Sequence, residues 1–362
     1  MELLLLMSMG LAALLVPFAS GSSDDDDGPQ EPEGPESAAI GDGFLRDEDG
    51  LVTGTDGDDS LTYQDFIASL EQGSSGDVTS SEDLIDDIRA GAGNDTIDLL
   101  SSEGEEELYW AEPGDRVFGG AGDDVLHLPN PYGLEVYGGA GRDDILVGAN
   151  PSVPVSVYGG QGDDTLDGTQ MENGSLYGGE GDDELSLDLP PNGGTGYVKI
   201  AHGDAGDDTL HVDLTTIFSE DGAGVPFSSH FDFHGGAGRD TLEVTVHEGL
   251  IDEGSFEELL TGDNNDIVRV STIDFEDFVR GEDRVILNVS SVNDSFDLAE
   301  IRMEEQLRNS GEAVTVITAS YTSDTLLTRE VTFSLNAVGL TWDDIEIEGA
   351  DPSLLAPIVR LS

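Results

Sequence analysis

Apolar residues recur along this chain in short alternating bursts, and each burst follows a glycine-rich stretch that ends in aspartate. The clearest copies are GGAGDDVLH (Gly119–His127), GGAGRDDIL (Gly138–Leu146), GGQGDDTLD (Gly159–Asp167), GGEGDDELS (Gly178–Ser186) and GGAGRDTLE (Gly235–Glu243). Four worn copies read GTDGDDSLT (Gly54–Thr62), AGAGNDTID (Ala90–Asp98), GDAGDDTLH (Gly203–His211) and TGDNNDIVR (Thr261–Arg269). Alternation with period two predicts short strands with one buried face. The eighth position of each copy from Gly119 on is apolar: Leu126, Ile145, Leu166, Leu185, Leu210, Leu242 and Val268. Two residues before the loops stand Val117, Val136, Val157, Leu176, Ala201 and Phe233. These two sets predict facing ladders of a thin two-sheet core. Strand alternation then turns Phe118, Tyr137, Tyr158, Tyr177, His202 and His234 outward. That stripe reads either as in-register stacking that supports a parallel sheet or as a surface for sugars or a partner.

Elsewhere the pattern changes. Tyr63–Leu70 and Glu82–Ile88 read as partly helical, so the Gly54 and Ala90 loops are not expected to stack regularly. Beyond Ser271 the repeat stops. There Ala313–Tyr321 and Arg329–Leu335 alternate as strands around a turn near Thr325–Leu327, and Thr341 with Asp344 can cap a short helical turn.

Spacing refines the architecture. Loops from Gly119 onward begin 19, 21, 19, 25, 32 and 26 residues apart, whereas a coil of two nonapeptides repeats at about 18. One loop per coil follows, with degenerate turns on the opposite edge at Pro129–Gly133, Ala149–Pro154 and Thr169–Gly174. Insertions at Asp188–Lys199 and Thr215–Phe227 lengthen two coils. The expected fold is all-β, a parallel roll over 116–270 with an N-terminal segment of worn repeats (44–115) and a β-rich cap (271–362).

The loop chemistry points to a hard cation. Calcium takes six to eight oxygens at about 2.3–2.6 Å, and glycine lets a backbone turn sharply enough to present carbonyls. The expected metal residues are the glycines at positions one, two and four and the aspartate at position six. They are Gly119, Gly120, Gly122 and Asp124; Gly138, Gly139, Gly141 and Asp143; Gly159, Gly160, Gly162 and Asp164; and Gly178, Gly179, Gly181 and Asp183. The later loops add Gly203, Gly206 and Asp208; Gly235, Gly236, Gly238 and Asp240; and Asp266. Asp59 and Asp95 hold the same position in the worn copies. Stacked coils lie about 4.8 Å apart, so an ion between two loops could take carbonyls and one carboxylate from each. Seven loops enclose up to six such sites.

Composition supports this reading. The chain has 362 residues with 78 acids against 13 bases, a formal net charge of −65. The one lysine is Lys199. Such a balance excludes nucleic acid as a partner, since phosphate binding needs a basic surface, and leaves a compact chain in need of counter-charge. With no cysteine, disulfides and thiolate metal sites are also excluded.

These loops resemble the RTX (repeats-in-toxin) family of hemolysin-type calcium-binding proteins, over roughly Gly54–Val270. The resemblance implies a right-handed parallel β-roll, calcium-dependent folding and type I export from a Gram-negative bacterium. Ile273-Asp274-Phe275 followed by Gly281-Glu282-Asp283-Arg284-Val285-Ile286-Leu287 looks like the element that often closes such rolls. Ser271–Ser362 is similar in layout to the family's caps and secretion-signal regions.

The ends and the remaining motifs bound the function. Leu3–Phe18 is an apolar run shorter than the about 20 residues of a membrane span, and reads as a signal peptide or an anchor. Gly21–Gly43 reads as an acidic disordered linker. No H-E-x-x-H or G-x-S-x-G motif occurs, and Gly73-Ser74-Ser75-Gly76 reads as a turn. His230 and His234, four apart, are expected on a strand because Phe231, Asp232 and Phe233 separate them. Pore-forming members of the family carry long apolar helices and an acylated lysine, whereas Lys199 lies inside the expected roll. The expected function is therefore an extracellular, non-enzymatic calcium-binding protein with a structural or adhesive role at a surface or matrix, its partners polysaccharide or matrix components. The alternative is a secreted polysaccharide-modifying or hydrolytic enzyme with its site on the roll face.

Overall fold

The computed structural model describes residues 38–47, 50–73, 87–100, 113–129, 133–148, 153–171, 173–188, 195–213, 228–245, 269–289, 296–323 and 328–361. The apolar N-terminal run, Thr215–Phe227, and the loop carrying Asp266 lie outside the described residues. Among the described residues, strands form one sheet of 14 and one of 10. The chain alternates between them: a strand of the long sheet, a glycine loop, a strand of the short sheet, and a return.

The coils stack in parallel and in register. In the short sheet Leu61, Ile97, Leu126, Ile145, Leu166, Leu185, Leu210, Leu242, Val285 and Ile345 form one row. The long sheet faces it with Val52, Ile88, Val117, Val136, Val157, Leu176, Ala201, Phe233, Phe275 and Leu335. Nearly every member is buried. Each buried Leu or Val contributes about 1.5–3 kcal/mol, so the two rows form the main apolar core. Register is fixed by this core, because a one-residue slip would turn both rows to solvent. The outward stripe is a ring stack: Phe118, Tyr137, Tyr158 and Tyr177 follow at centroid spacings of 4.9 Å, then His202 at 5.0 Å and His234 at 4.3 Å. The spacing is that of neighbouring strands, as the stacking reading requires.

Several expectations are corrected. The roll does not stop at Ser271. Arg269–Phe275 and Arg284–Asn288 build a further coil, and Thr328–Leu335 with Ile345–Glu348 builds another. Val285 continues the Leu242 row, the place expected of Val268, which lies outside the described residues. Ile88 is not helical: it lies in the strand Asp87–Ala92 between Val52 and Val117, where core burial outweighs local helical pattern. The Gly54 and Ala90 loops do stack regularly, through Ser60–Thr62 against Thr96–Asp98. The acidic linker ends sooner than Gly43, because Ala38–Ile40 pairs antiparallel with Phe44–Arg46 and buries Ile40 and Phe44. The helix expected over Tyr63–Leu70 forms and buries Phe66, but runs on to Gly73, the first residue of the expected turn.

The far end of the long sheet is an antiparallel meander of Thr328–Leu335, Ala313–Ser323 and Phe296–Leu307. Arg308 ties it to the roll, reaching Glu276 at 2.7 Å and Asp274 at 2.9 Å. Thr341 and Asp344 cap the short 3-10 turn Trp342–Asp344, with the Thr341 hydroxyl donating to the Asp344 carboxylate at 2.9 Å. His230 and His234 lie on the strand Ser228–Ala237. Lys199 sits fully buried in the strand Thr195–Ala205, its ammonium donating to the Asp188 carbonyl.

Candidate metal centre

Each loop's glycines serve two different purposes. Positions two and four hold positive φ, for example Gly160 at +122° and Gly162 at +127°. A Cβ at either would fall inside 3.0 Å of a carbonyl oxygen of the preceding coil, Gly139 or Gly141. These glycines let the loops stack. Position one has no left-handed backbone. A Cβ on Gly159 would instead fall inside 3.0 Å of Asp164 Oδ2 and 2.7 Å from the carbonyl oxygen of Gly178 in the next coil. The same holds at Gly119, Gly138, Gly178 and Gly203. This glycine keeps open a space walled by a carboxylate oxygen and a carbonyl oxygen.

The aspartates at position six form a ladder one carboxylate per coil. The backbone N–H of Asp124 donates to Asp143 Oδ1 at 2.9 Å, and that of Asp143 to Asp164 Oδ1 at 2.8 Å. Asp164 donates to Asp183 and Asp183 to Asp208, both at 2.8 Å, and Asp208 to Asp240 at 3.0 Å. Asp59 and Asp95 join the N-terminal end at 2.8 Å each. Asp283 completes the C-terminal end, accepting from Asp240 at 3.1 Å. The 32-residue gap between the Gly203 and Gly235 loops therefore does not break the stack.

Only one oxygen of each carboxylate is used this way. The Oδ2 atoms of Asp95, Asp124, Asp143, Asp164, Asp183 and Asp208 are buried and have no hydrogen-bond partner. An ionised carboxylate oxygen without a donor is among the costliest groups to bury. Burial pushes the carboxyls of Asp124, Asp183 and Asp208 up to about 7, and those of Asp143, Asp164 and Asp240 up to about 6. Neighbouring aspartates push the same way in most of them, while the backbone N–H received at Oδ1 pulls down.

Oxygens of this kind fit a hard divalent cation. In the loops whose first position is glycine, the free Oδ2 would supply charge and the loop carbonyls would supply neutral oxygens, which is the donor set calcium takes. Bound calcium would neutralise the buried charge and cross-link neighbouring coils. The sharing is narrower than two whole carboxylates per ion, because each Oδ1 is committed to the backbone of the preceding coil.

The ladder's two ends are satisfied by protein donors. Asp59 accepts from the Thr55 N–H and, at 2.9 Å, from the Thr55 hydroxyl. Asp283 Oδ2 accepts from the Val279 N–H at 2.6 Å. In the same closing turn Asp277 receives Gly235 N–H and Gly236 N–H, both at 2.9 Å. Asp283 thus stands where Asp266 was expected in the ladder. A signal for it existed: Gly281-Glu282-Asp283-Arg284-Val285 is the second half of the nonapeptide. Sequence reading also missed an outer ladder at position five. There Asp123, Asp163, Asp182 and Asp207 each accept the N–H of the next coil at 2.8–3.0 Å. Arg142 interrupts it, having no oxygen to offer. Asp232, Asp274 and Glu276 form a separate carboxylate group on the outer face, two of whose members already meet Arg308.

The family model of the RTX calcium-binding nonapeptide repeat matches four copies in the chain, over residues 82–100, 114–128 and 155–170. No curated protein matches it.

Proposed function

This is an RTX-type calcium-binding repeat protein, and from that premise we propose that it is an extracellular, non-enzymatic component that calcium makes rigid once it leaves the cell. The observation that carries the proposal is the row of buried, donor-free Oδ2 atoms. Where calcium is scarce, these carboxylates oppose burial and the chain of net charge −65 stays open and exportable. Where calcium is about millimolar, sites of the extracellular class, Kd about 10⁻⁴–10⁻³ M, fill and close the roll. With free calcium tenfold above Kd, each site contributes about 1.4 kcal/mol, so several sites together decide whether the chain folds.

Export through a type I system and residence in or on the surface of a Gram-negative bacterium belong to the same proposal. So does a structural or adhesive role toward polysaccharide or matrix. A non-enzymatic role is favoured over a hydrolase because the outward rings stack face to face, leaving their edges and not an open aromatic platform toward solvent. The test is proteolysis of the full chain by a Glu-specific protease at buffered calcium. Resistance over the roll at millimolar calcium and rapid cleavage at submicromolar calcium are expected. Equal resistance in both would overturn the proposal.

A further inference from the structure

The worn loop Ala90–Asp98 is one of the segments that match the calcium-binding repeat. It stacks as the others do: Gly91 pairs with Gly120, which sets Ala90 against Gly119. Its aspartate stays in the ladder, Asp95 Oδ1 accepting from Asp59 at 2.8 Å. It departs from the clear loops at position one, where Ala90 replaces glycine and is fully buried.

That position is the one whose emptiness keeps the cage open. In the loops beginning at Gly119, Gly138, Gly159, Gly178 and Gly203, a Cβ would fall inside 3.0 Å of the ladder carboxylate and within 2.8 Å of the next loop's carbonyl oxygen. Ala90 carries that methyl. Asp95 Oδ2 lacks a donor like its neighbours, so at position one this cage differs from the next by the methyl. The coil before it needs no ion either, because Thr55 engages Asp59.

We infer that Ala90 closes the cage between the Ala90 and Gly119 loops to calcium, so that the metal row begins between Gly119 and Gly138. The two coils before it are a protein-only end piece, the second of them matched in sequence to the repeat but not loaded. This inference rests on the calcium reading above and names which repeats carry it.

The experiment counts bound calcium per full chain by equilibrium dialysis at pH 8 for the wild type and three variants. Ala90→Gly is expected to bind one ion more than wild type. Asp95→Asn is expected to bind the same number, and Asp124→Asn one fewer. An unchanged count for Ala90→Gly, or a lost ion for Asp95→Asn, would overturn the inference while leaving the calcium reading intact. A wild type that binds no calcium would overturn both.

Discussion

Replacing Asp164 by asparagine separates the cost of a buried charge from the benefit of a bound ion. Asn keeps an oxygen for the Asp143 N–H, which Asp164 Oδ1 now accepts at 2.8 Å. It removes the charge at Oδ2, which has no donor. Burial raises the Asp164 carboxyl from 3.8 to about 6 in the fold. The folded state therefore holds its proton more tightly than the unfolded chain. The associated stability is complete below the unfolded value and is lost as pH rises through about 6. At pH 8 without metal, the ionised group costs on the order of 3 kcal/mol. Asp143 and Asp240 carry similar shifts, and Asp124, Asp183 and Asp208 larger ones. Together such groups cost on the order of 10 kcal/mol, comparable to the whole stability of a domain. In chelator, the β signal should therefore be strongest near pH 5 and fall toward pH 8. Asp164→Asn should shift the pH of half-loss upward, and should change little at pH 4, where wild type is already protonated. In saturating calcium at pH 8 the sign reverses, because the amide offers the ion no charge, and the variant should denature at lower urea. The assay is far-UV circular dichroism across pH in chelator, with urea denaturation in calcium. A variant destabilised equally with and without calcium would refute the reasoning.

Three other perturbations test separate parts of the structure. Gly160→Ala should destabilise the roll at every calcium concentration, because its φ of +122° and the Gly139 carbonyl both oppose a Cβ; Gly159→Ala should act mainly by weakening calcium binding, and the two are compared by thermal melts with and without chelator. Tyr158→Ala removes two stacked neighbours at 4.9 Å and should cost about 1–3 kcal/mol in calcium-loaded urea titrations without altering calcium stoichiometry. Arg308→Ala leaves the half-buried Asp274 and Glu276 without this shared guanidinium and should loosen the cap by about 1.5–3 kcal/mol, read as faster amide exchange in Ala313–Ser323 than in the roll.

Much of the roll was legible because one pattern carried several constraints at once. The apolar eighth position, the glycine triplet and the position-six aspartate each recur at coil spacing, so row membership, loop edge and ladder follow together. What escaped was whatever departs from that pattern. The coil at Arg269–Asn288 has no full nonapeptide, and there the Asp277 carboxylate accepts the backbone N–H groups of Gly235 and Gly236. Ile88, read as the end of a helical stretch, is instead a strand residue buried between Val52 and Val117. The outer ladder at position five was hidden because aspartates there resemble ordinary solvated turn residues. Lys199 reads as an insertion residue, yet it lies in the core beside Phe231, 5.9 Å from the ring centroid.

The most direct test of calcium as the fold's missing counter-charge is a calcium titration of the chelated full chain at pH 8, followed by far-UV circular dichroism with magnesium as the control. The expected result is little β signal in chelator, a steep cooperative rise at submillimolar to millimolar calcium, and no rise with magnesium, which demands tight octahedral shells and sheds water reluctantly. A full β signal in chelator at pH 8, unchanged by calcium, would contradict the account.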